Sequence, residues 1–160
     1  MSLIDIKNLT FSYETSFENI FEDVSFQIDT DWKLGFIGRN GRGKTTLLNL
    51  LLGKYDYRGK ISASVTFDYF PFEVEDKSRT TIDIIDSINN SYEVWELNRE
   101  LSLLDVDQDV LYRPFETLSN GEQTKVLLAA LFLKEQNFLL LDEPTNHLDE
   151  EGKETIAEYL

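Results

Sequence analysis

The stretch Gly38-Arg39-Asn40-Gly41-Arg42-Gly43-Lys44-Thr45 restricts what this chain can fold into more than any other part of it. It follows the pattern G-x-x-x-x-G-K-[ST], in which a glycine-rich turn cradles a chain of phosphates. The glycines let consecutive backbone N–H groups point inward where side chains would obstruct them. A helix starting at Lys44 would add the positive end of its dipole. Lys44 then offers a point charge to the β- and γ-phosphates, the Thr45 hydroxyl can ligate Mg²⁺, and Thr46 lies beside them in the same first turn. The flanks agree with such a turn. Residues 33–37 are almost continuously apolar and read as a central strand, and residues 44–52 read as an apolar helix stopped by Gly53 in the C′ position.

Charge points the same way when it is counted locally. The chain of 160 residues has 30 acids and 15 bases, a net −15. That balance argues against the whole domain gripping nucleic acid or an anionic membrane. Residues 33–60, however, hold seven of the bases and one acid, Asp56. An anion-binding spot on an acidic body fits a small phosphate ligand better than a long polyanion. Cysteine is absent, which excludes a disulfide scaffold, a zinc knuckle and a thiol nucleophile. The longest apolar run, residues 126–133, is far short of the roughly 20 residues a membrane helix needs. The opening residues MSLIDIKNLTF lack the basic-then-apolar layout of a secretory signal, so a cytoplasmic protein without membrane insertion is expected.

Along the chain, residues 3–6, 9–13 and 24–28 alternate apolar and polar, as half-buried strands of an antiparallel sheet do. Residues 60–64 and 65–70 are also strand-like. Between 73 and 104 the spacing changes: Val94, Leu97, Leu101 and Leu104 recur as on one face of a helix, in an acidic stretch. A second helix is expected over 120–134, a buried parallel strand over 138–141, and a further helix from 149. The expected organisation is one partial domain over 1–160. Residues 1–72 and 135–160 form its core and an antiparallel β subdomain, and 73–134 a helical subdomain.

Two more segments carry chemistry. Phe138-Leu139-Leu140-Leu141 ends in Asp142 and Glu143, so an apolar strand delivers two carboxylates to the edge of a sheet, where open α/β folds bind ligands. Asp142 suits the Mg²⁺ shell, and Glu143 can accept a proton from an attacking water; Glu143 and Lys44 are the candidate catalytic residues. Leu118-Ser119-Asn120-Gly121-Glu122-Gln123 opens a helix, with Ser119 a good N-cap and free N–H groups beyond it for an anion. The acids Asp105, Asp107 and Asp109 imitate a calcium loop, but Val110 stands where that loop needs glycine.

Taken in order, the glycine loop (the Walker A motif), LSNGEQ, FLLLDE and PTNHLD resemble the ATP-binding cassette (ABC) ATPases. Within them the wording PTNHLD is similar to the ABC-F branch, whose members are soluble tandem cassettes that bind ribosomes. DTDWKLGFIGRNGRGKTTLL and LYRPFETLSNGEQTKVLLAALFLKE resemble the first cassette of the Lsa/Vga kind, which implies antibiotic resistance by ribosome protection.

The resemblance implies an α/β P-loop cassette with a mostly parallel core sheet, an antiparallel β subdomain and a small helical subdomain, here C-terminally truncated. It implies ATP and Mg²⁺ as ligands, with Gly38, Arg39, Asn40, Gly41, Arg42, Gly43, Lys44, Thr45 and Thr46 around the phosphates and Tyr13 stacked on the base. Ser119, Asn120, Gly121, Glu122 and Gln123 would act on an opposing cassette, and Asp149 would be the D-loop acid at that interface. Partners implied are ATP, a second cassette, and the ribosome through regions outside this chain. Two departures stand out. Asn120 replaces a glycine of the signature, and Phe72 stands at the position of the Q-loop glutamine. The alternatives are an ATP-binding subunit of a membrane transporter, or a nucleotide-binding fragment with impaired hydrolysis because its histidine switch would lie beyond Leu160.

Overall fold

The computed structural model describes residues 3–35, 41, 43–135, 137–146 and 148–160. In chain order the elements are β1 (Leu3–Phe11), β2 (Phe21–Asp29), α1 (Lys44–Leu51), β3 (Arg58–Ser62), β4 (Thr66–Phe70), α2 (Thr81–Ile88), α3 (Val94–Leu103), α4 (Asn120–Phe132), β5 (Asn137–Leu141) and α5 (Glu150–Tyr159). Two 3-10 turns, Gln108–Tyr112 and Phe115–Thr117, join α3 to α4. The chain clusters into two compact units, Met1–Asp68 with Gln136–Asp142, and Tyr69–Glu135 with Glu143–Leu160. The helical segment expected over 73–134 lies inside the second unit, and residues 135–160 are divided between the two.

The first unit is built on a three-stranded antiparallel sheet of order β2-β1-β3. Ile4, Ile6, Leu9 and Phe11 of β1 are all buried, although the step from Ile6 to Leu9 breaks a strict period of two. A register irregularity between Ile6 and Leu9, with Asn8 at φ +50°, restores the phase. One bulged strand therefore replaces the two separate strands expected here, because a bulge lets both apolar sets face the same core. Leu47, Leu50 and Leu51 of α1 and Leu140 of β5 are also buried. β5 pairs with β4 in a second sheet, where Phe67 meets Phe138 edge-on at 6.1 Å. The strand expected over 33–37 is not found in its described part: residues 33–35 are irregular, and Leu34 is 53% exposed. Phe36 and Ile37 lie outside the described residues.

Helix α1 ends as its sequence demands. Gly53 sits in C′ at φ +70°, its N–H reaches Leu50 O at 3.0 Å, and the Lys54 N–H reaches Asn49 O at 3.0 Å. Those two bonds make a Schellman cap.

The second unit packs α2, α3 and α4 around Ile84, Ile85, Leu97, Leu101, Phe115 and Leu128, each at most 2% exposed. The buried run Val126–Leu131 makes α4 apolar all round, the mark of a central helix. Two of the three spaced acids, Asp105 and Asp107, have structural tasks. Asp105 closes α3 at φ +53° in a second Schellman arrangement, with Val106 N on Leu101 O at 2.9 Å, and Asp107 caps the following 3-10 turn. Glu100, 8% exposed, ties α3 to α5 by accepting the Tyr159 hydroxyl at 2.6 Å and the Arg99 guanidinium at 2.7 Å. Burial, then the Glu100 carboxylate, pushes the Tyr159 hydroxyl well above the usual tyrosine range.

Candidate functional site

In the first unit the start of α1 is the focus. Gly41 and Gly43 both lie in the left-handed region, at φ +78° and +88°. Gly43 is the N-cap, and a Cβ there would come within 2.7 Å of Ile20 Cγ2 and 3.1 Å of Phe21 Cζ. Both the backbone and the space therefore require glycine. The first turn of α1 has no side-chain cap and no acidic residue, and it opens with Lys44. Its leading N–H groups face no carboxylate of their own helix, which is the condition for receiving an anion.

The Thr45 hydroxyl donates to Asp142 Oδ2 at 2.7 Å, joining the glycine-loop helix to the end of β5 across 97 residues. A hydroxyl and a carboxylate converging at that distance are hard oxygen donors. Mg²⁺ typically takes one or two such protein ligands together with waters and phosphate oxygens. The donor set therefore fits Mg²⁺ bound with a nucleotide. Among the described residues there is no group of three or more His, Cys, Asp and Glu arranged to hold a metal alone.

Thr46, 7% exposed, shares a 2.7 Å hydrogen bond with the Tyr13 hydroxyl. Gly38, Arg39, Asn40 and Arg42 lie outside the described residues, as does His147.

The second unit carries the other candidates. Glu143 takes φ +49° in a turn closed by the Asn146 N–H on its carbonyl at 3.0 Å. The Asn146 side-chain amide also donates to Glu143 Oε2 at 3.4 Å. Ser119 and Glu122 form a reciprocal capping box: Glu122 N–H donates to Ser119 Oγ at 3.2 Å, and Ser119 N–H to Glu122 Oε2 at 2.7 Å. The Ser119 backbone bond holds the Glu122 carboxyl below its ordinary value of 4.5. Gln123 faces inward, donating to Phe115 O and Leu118 O at 3.1 Å each. Asn120 is exposed at the first position of α4. Asp149 caps α5 through the Gly152 N–H at 2.9 Å. Ser119, Gly121, Glu122 and Asp149 line one cavity of about 440 Å³.

The structure thus brings Thr45 to Asp142 and Tyr13 to Thr46 in one unit, and the LSNGEQ residues to Asp149 in the other. Asn146 and Tyr55 were not singled out in the sequence as contacts of the site. Asn146 sits inside a motif whose acids drew attention, and Tyr55 belongs to no periodic pattern.

These features define a nucleotide-binding α/β cassette. Comparison with known proteins carries this further. The ABC transporter family profile matches residues 21–146, and the chain belongs to that family of ATP-binding cassettes. Curated relatives include the ATP-binding protein Uup of Buchnera aphidicola, 35% identical over 99% of this chain and 28% of that protein. ABC transporter F family member 4 of Dictyostelium discoideum is 32% identical over 98% of this chain and 14% of its own length. Ribosome protection protein VmlR of Bacillus subtilis is 33% identical over 98% and 29%. The chain therefore spans less than a third of each of these relatives.

Among solved structures, a metal-chelate type ABC transporter in an inward-facing conformation superposes with a TM-score of 0.78 at 26% identity, covering 98% of this chain and 66% of that one. An ABC transporter ATP-binding protein of Pyrococcus furiosus superposes with a TM-score of 0.83 at 22% identity, covering 98% and 83%. The fold is that of an ABC ATPase cassette. No helix among the described residues is long and apolar enough to cross a membrane.

Proposed function

We propose that this chain is the MgATP-binding and ATP-hydrolysing cassette of a cytoplasmic ABC-F protein that acts on the ribosome. The observation that carries the ATP reading is the Thr45–Asp142 bond at the mouth of an uncapped, lysine-led helix. Residues 38–46 bind the triphosphate, with Lys44 drawing charge from the terminal phosphates. Tyr13 takes the base, and Thr45 and Asp142 hold Mg²⁺. Bound Mg²⁺ supplies charge neutralisation at the phosphates. Glu143 orients a water and takes its proton as that water attacks the terminal phosphorus in line, releasing ADP and phosphate; such a base contributes about 10²–10⁴-fold. Ser119, Gly121 and Asp149 serve the interface with a second cassette. The domain reading is one cassette, with core and antiparallel β subdomain over 1–72 and 135–160 and the helical part over 73–134.

Similarity to ABC-F members and to a ribosome protection protein supports the ribosomal assignment over a transporter subunit. So does Phe72, whose ring meets Phe70 edge-on at 6.4 Å and offers no polar atom to water or metal. With a net charge of −15, the chain would leave ribosomal RNA contacts to regions outside it. The test uses the full-length protein with Glu143→Gln and MgATP added to a cell lysate. ATP-dependent sedimentation with ribosomes is the expected result; sedimentation with membranes would assign the cassette to a transporter. A Glu143→Gln protein that hydrolyses ATP like its parent would remove Glu143 from the role of base.

A further inference from the structure

We propose that Tyr55 is a positioning residue that fixes the plane of the Tyr13 ring and thereby sets the affinity of this chain for the base of a purine nucleotide. The proposal rests on Tyr13 being the base platform. Tyr13 lies just past the end of β1 and is held at three points. Its hydroxyl shares the 2.7 Å bond with Thr46 in the first turn of α1. Its ring stands edge-to-face against Phe11, at 5.0 Å and 81°, and against Tyr55, at 5.7 Å and 84°. Phe11 and Tyr55 are themselves only 31° apart in plane, at 5.5 Å, so together they form one backing across which Tyr13 stands.

The two backing rings differ in what else they do. Phe11 is 6% exposed and belongs to the core, whereas Tyr55 is 39% exposed and Tyr13 36%. Tyr55 follows the Schellman cap of α1 by one residue, so the helix that begins with Lys44 also presents this ring from its far end. Stacking a base needs one open ring face in a fixed plane. A half-exposed tyrosine without support would have to be ordered on binding, at a cost in affinity. Edge-to-face ring contacts of this kind stabilise an orientation by amounts that correspond to roughly two- to tenfold in affinity.

The experiment measures binding of MgATP and of magnesium tripolyphosphate, a ligand with phosphates and no base, to the full-length protein by calorimetry. Tyr55→Ala is expected to weaken MgATP roughly two- to tenfold and to leave tripolyphosphate unchanged. Tyr55→Phe is expected to restore the parent value, because the ring makes the contact. Equal weakening of both ligands by Tyr55→Ala would overturn the proposal, since Tyr55 would then be supporting the phosphate helix. So would no weakening of either. If the parent binds tripolyphosphate as tightly as MgATP, Tyr13 is no base platform and the proposal falls with that reading, a result visible in the parent alone.

Discussion

Helices α1 and α4 both begin at motif residues, yet their first turns are finished in opposite ways. At α1 the N-cap is Gly43, no side chain caps the turn, and no acid stands in it. At α4, Ser119 and Glu122 satisfy each other's backbone N–H groups at 3.2 and 2.7 Å, and the Glu122 carboxylate stands in the first turn. Glycine in place of a good N-cap side chain costs a helix only about a few tenths of a kcal/mol. The first unit accepts that loss where a phosphate is expected. The second is closed on itself, and any anion drawn to Ser119 must first meet the charge of Glu122. The α1 start, with no side-chain cap and no acid of its own, fits the proposed phosphate site better than the α4 start, where a capping box and Glu122 stand first.

The comparison can be broken most forcefully at Lys44. Lys44→Ala is expected to weaken MgATP binding about 30-fold or more, since truncating one member of a desolvated charge pair costs ~2–5 kcal/mol. A fluorescent ATP analogue titrated against the full-length protein reads this directly. A loss under about threefold would mean that α1 is not the phosphate site.

The glycines sharpen the contrast at the level of stability. Gly43→Ala places a Cβ at φ +88° and 2.7 Å from Ile20, and should destabilise by ~1–3 kcal/mol in urea unfolding. Gly121→Ala should do the reverse. Its nearest neighbour is Leu148 at an ordinary 3.6 Å and its backbone is helical, so alanine should stabilise by ~0.5–1 kcal/mol. Loss of ATPase activity in that more stable variant would locate Gly121 at a ligand and not in the scaffold.

The smallest effect is one of pH. Because Glu122 has its pKa lowered in the fold, its contribution is present above the ordinary value of 4.5 and fades as pH falls through the lower folded value. Parent stability should therefore dip below about pH 4.5 more than that of Glu122→Gln. Parallel acid titrations followed by circular dichroism would show it.

Local signals in the sequence were legible where one residue type has one use. Gly53 stops α1 and Ser119 caps α4 as expected, a helix follows Asp149, and the FLLL strand ends at Asp142. Signals that depend on partners were not. The pairing that fuses residues 3–11 into one strand depends on a bulge at Asn8, which alternation alone cannot register. Helix α2 escaped notice because its apolar residues, Ile82, Ile84, Ile85 and Ile88, fill too short a window to set a period. The run at 33–37 read as a strand by composition, and its described part, residues 33–35, is irregular. Likewise the Tyr13–Tyr55–Phe11 cluster joins residues whose proximity follows from β1 meeting the far end of α1, a tertiary fact.

The Thr45–Asp142 bond also has a consequence for biosynthesis. Its two members are 97 residues apart, so the oxygens that would hold a metal cannot meet until β5 has left the ribosome. At the ~5–20 residues per second of translation, the glycine loop waits on the order of 5–20 s for its carboxylate partner. During that interval the nascent chain presents a cluster of positive charge with no completed site behind it. Any nucleotide that met it then would be held by the loop alone, and firm capture would begin only when Asp142 arrived to close the ring.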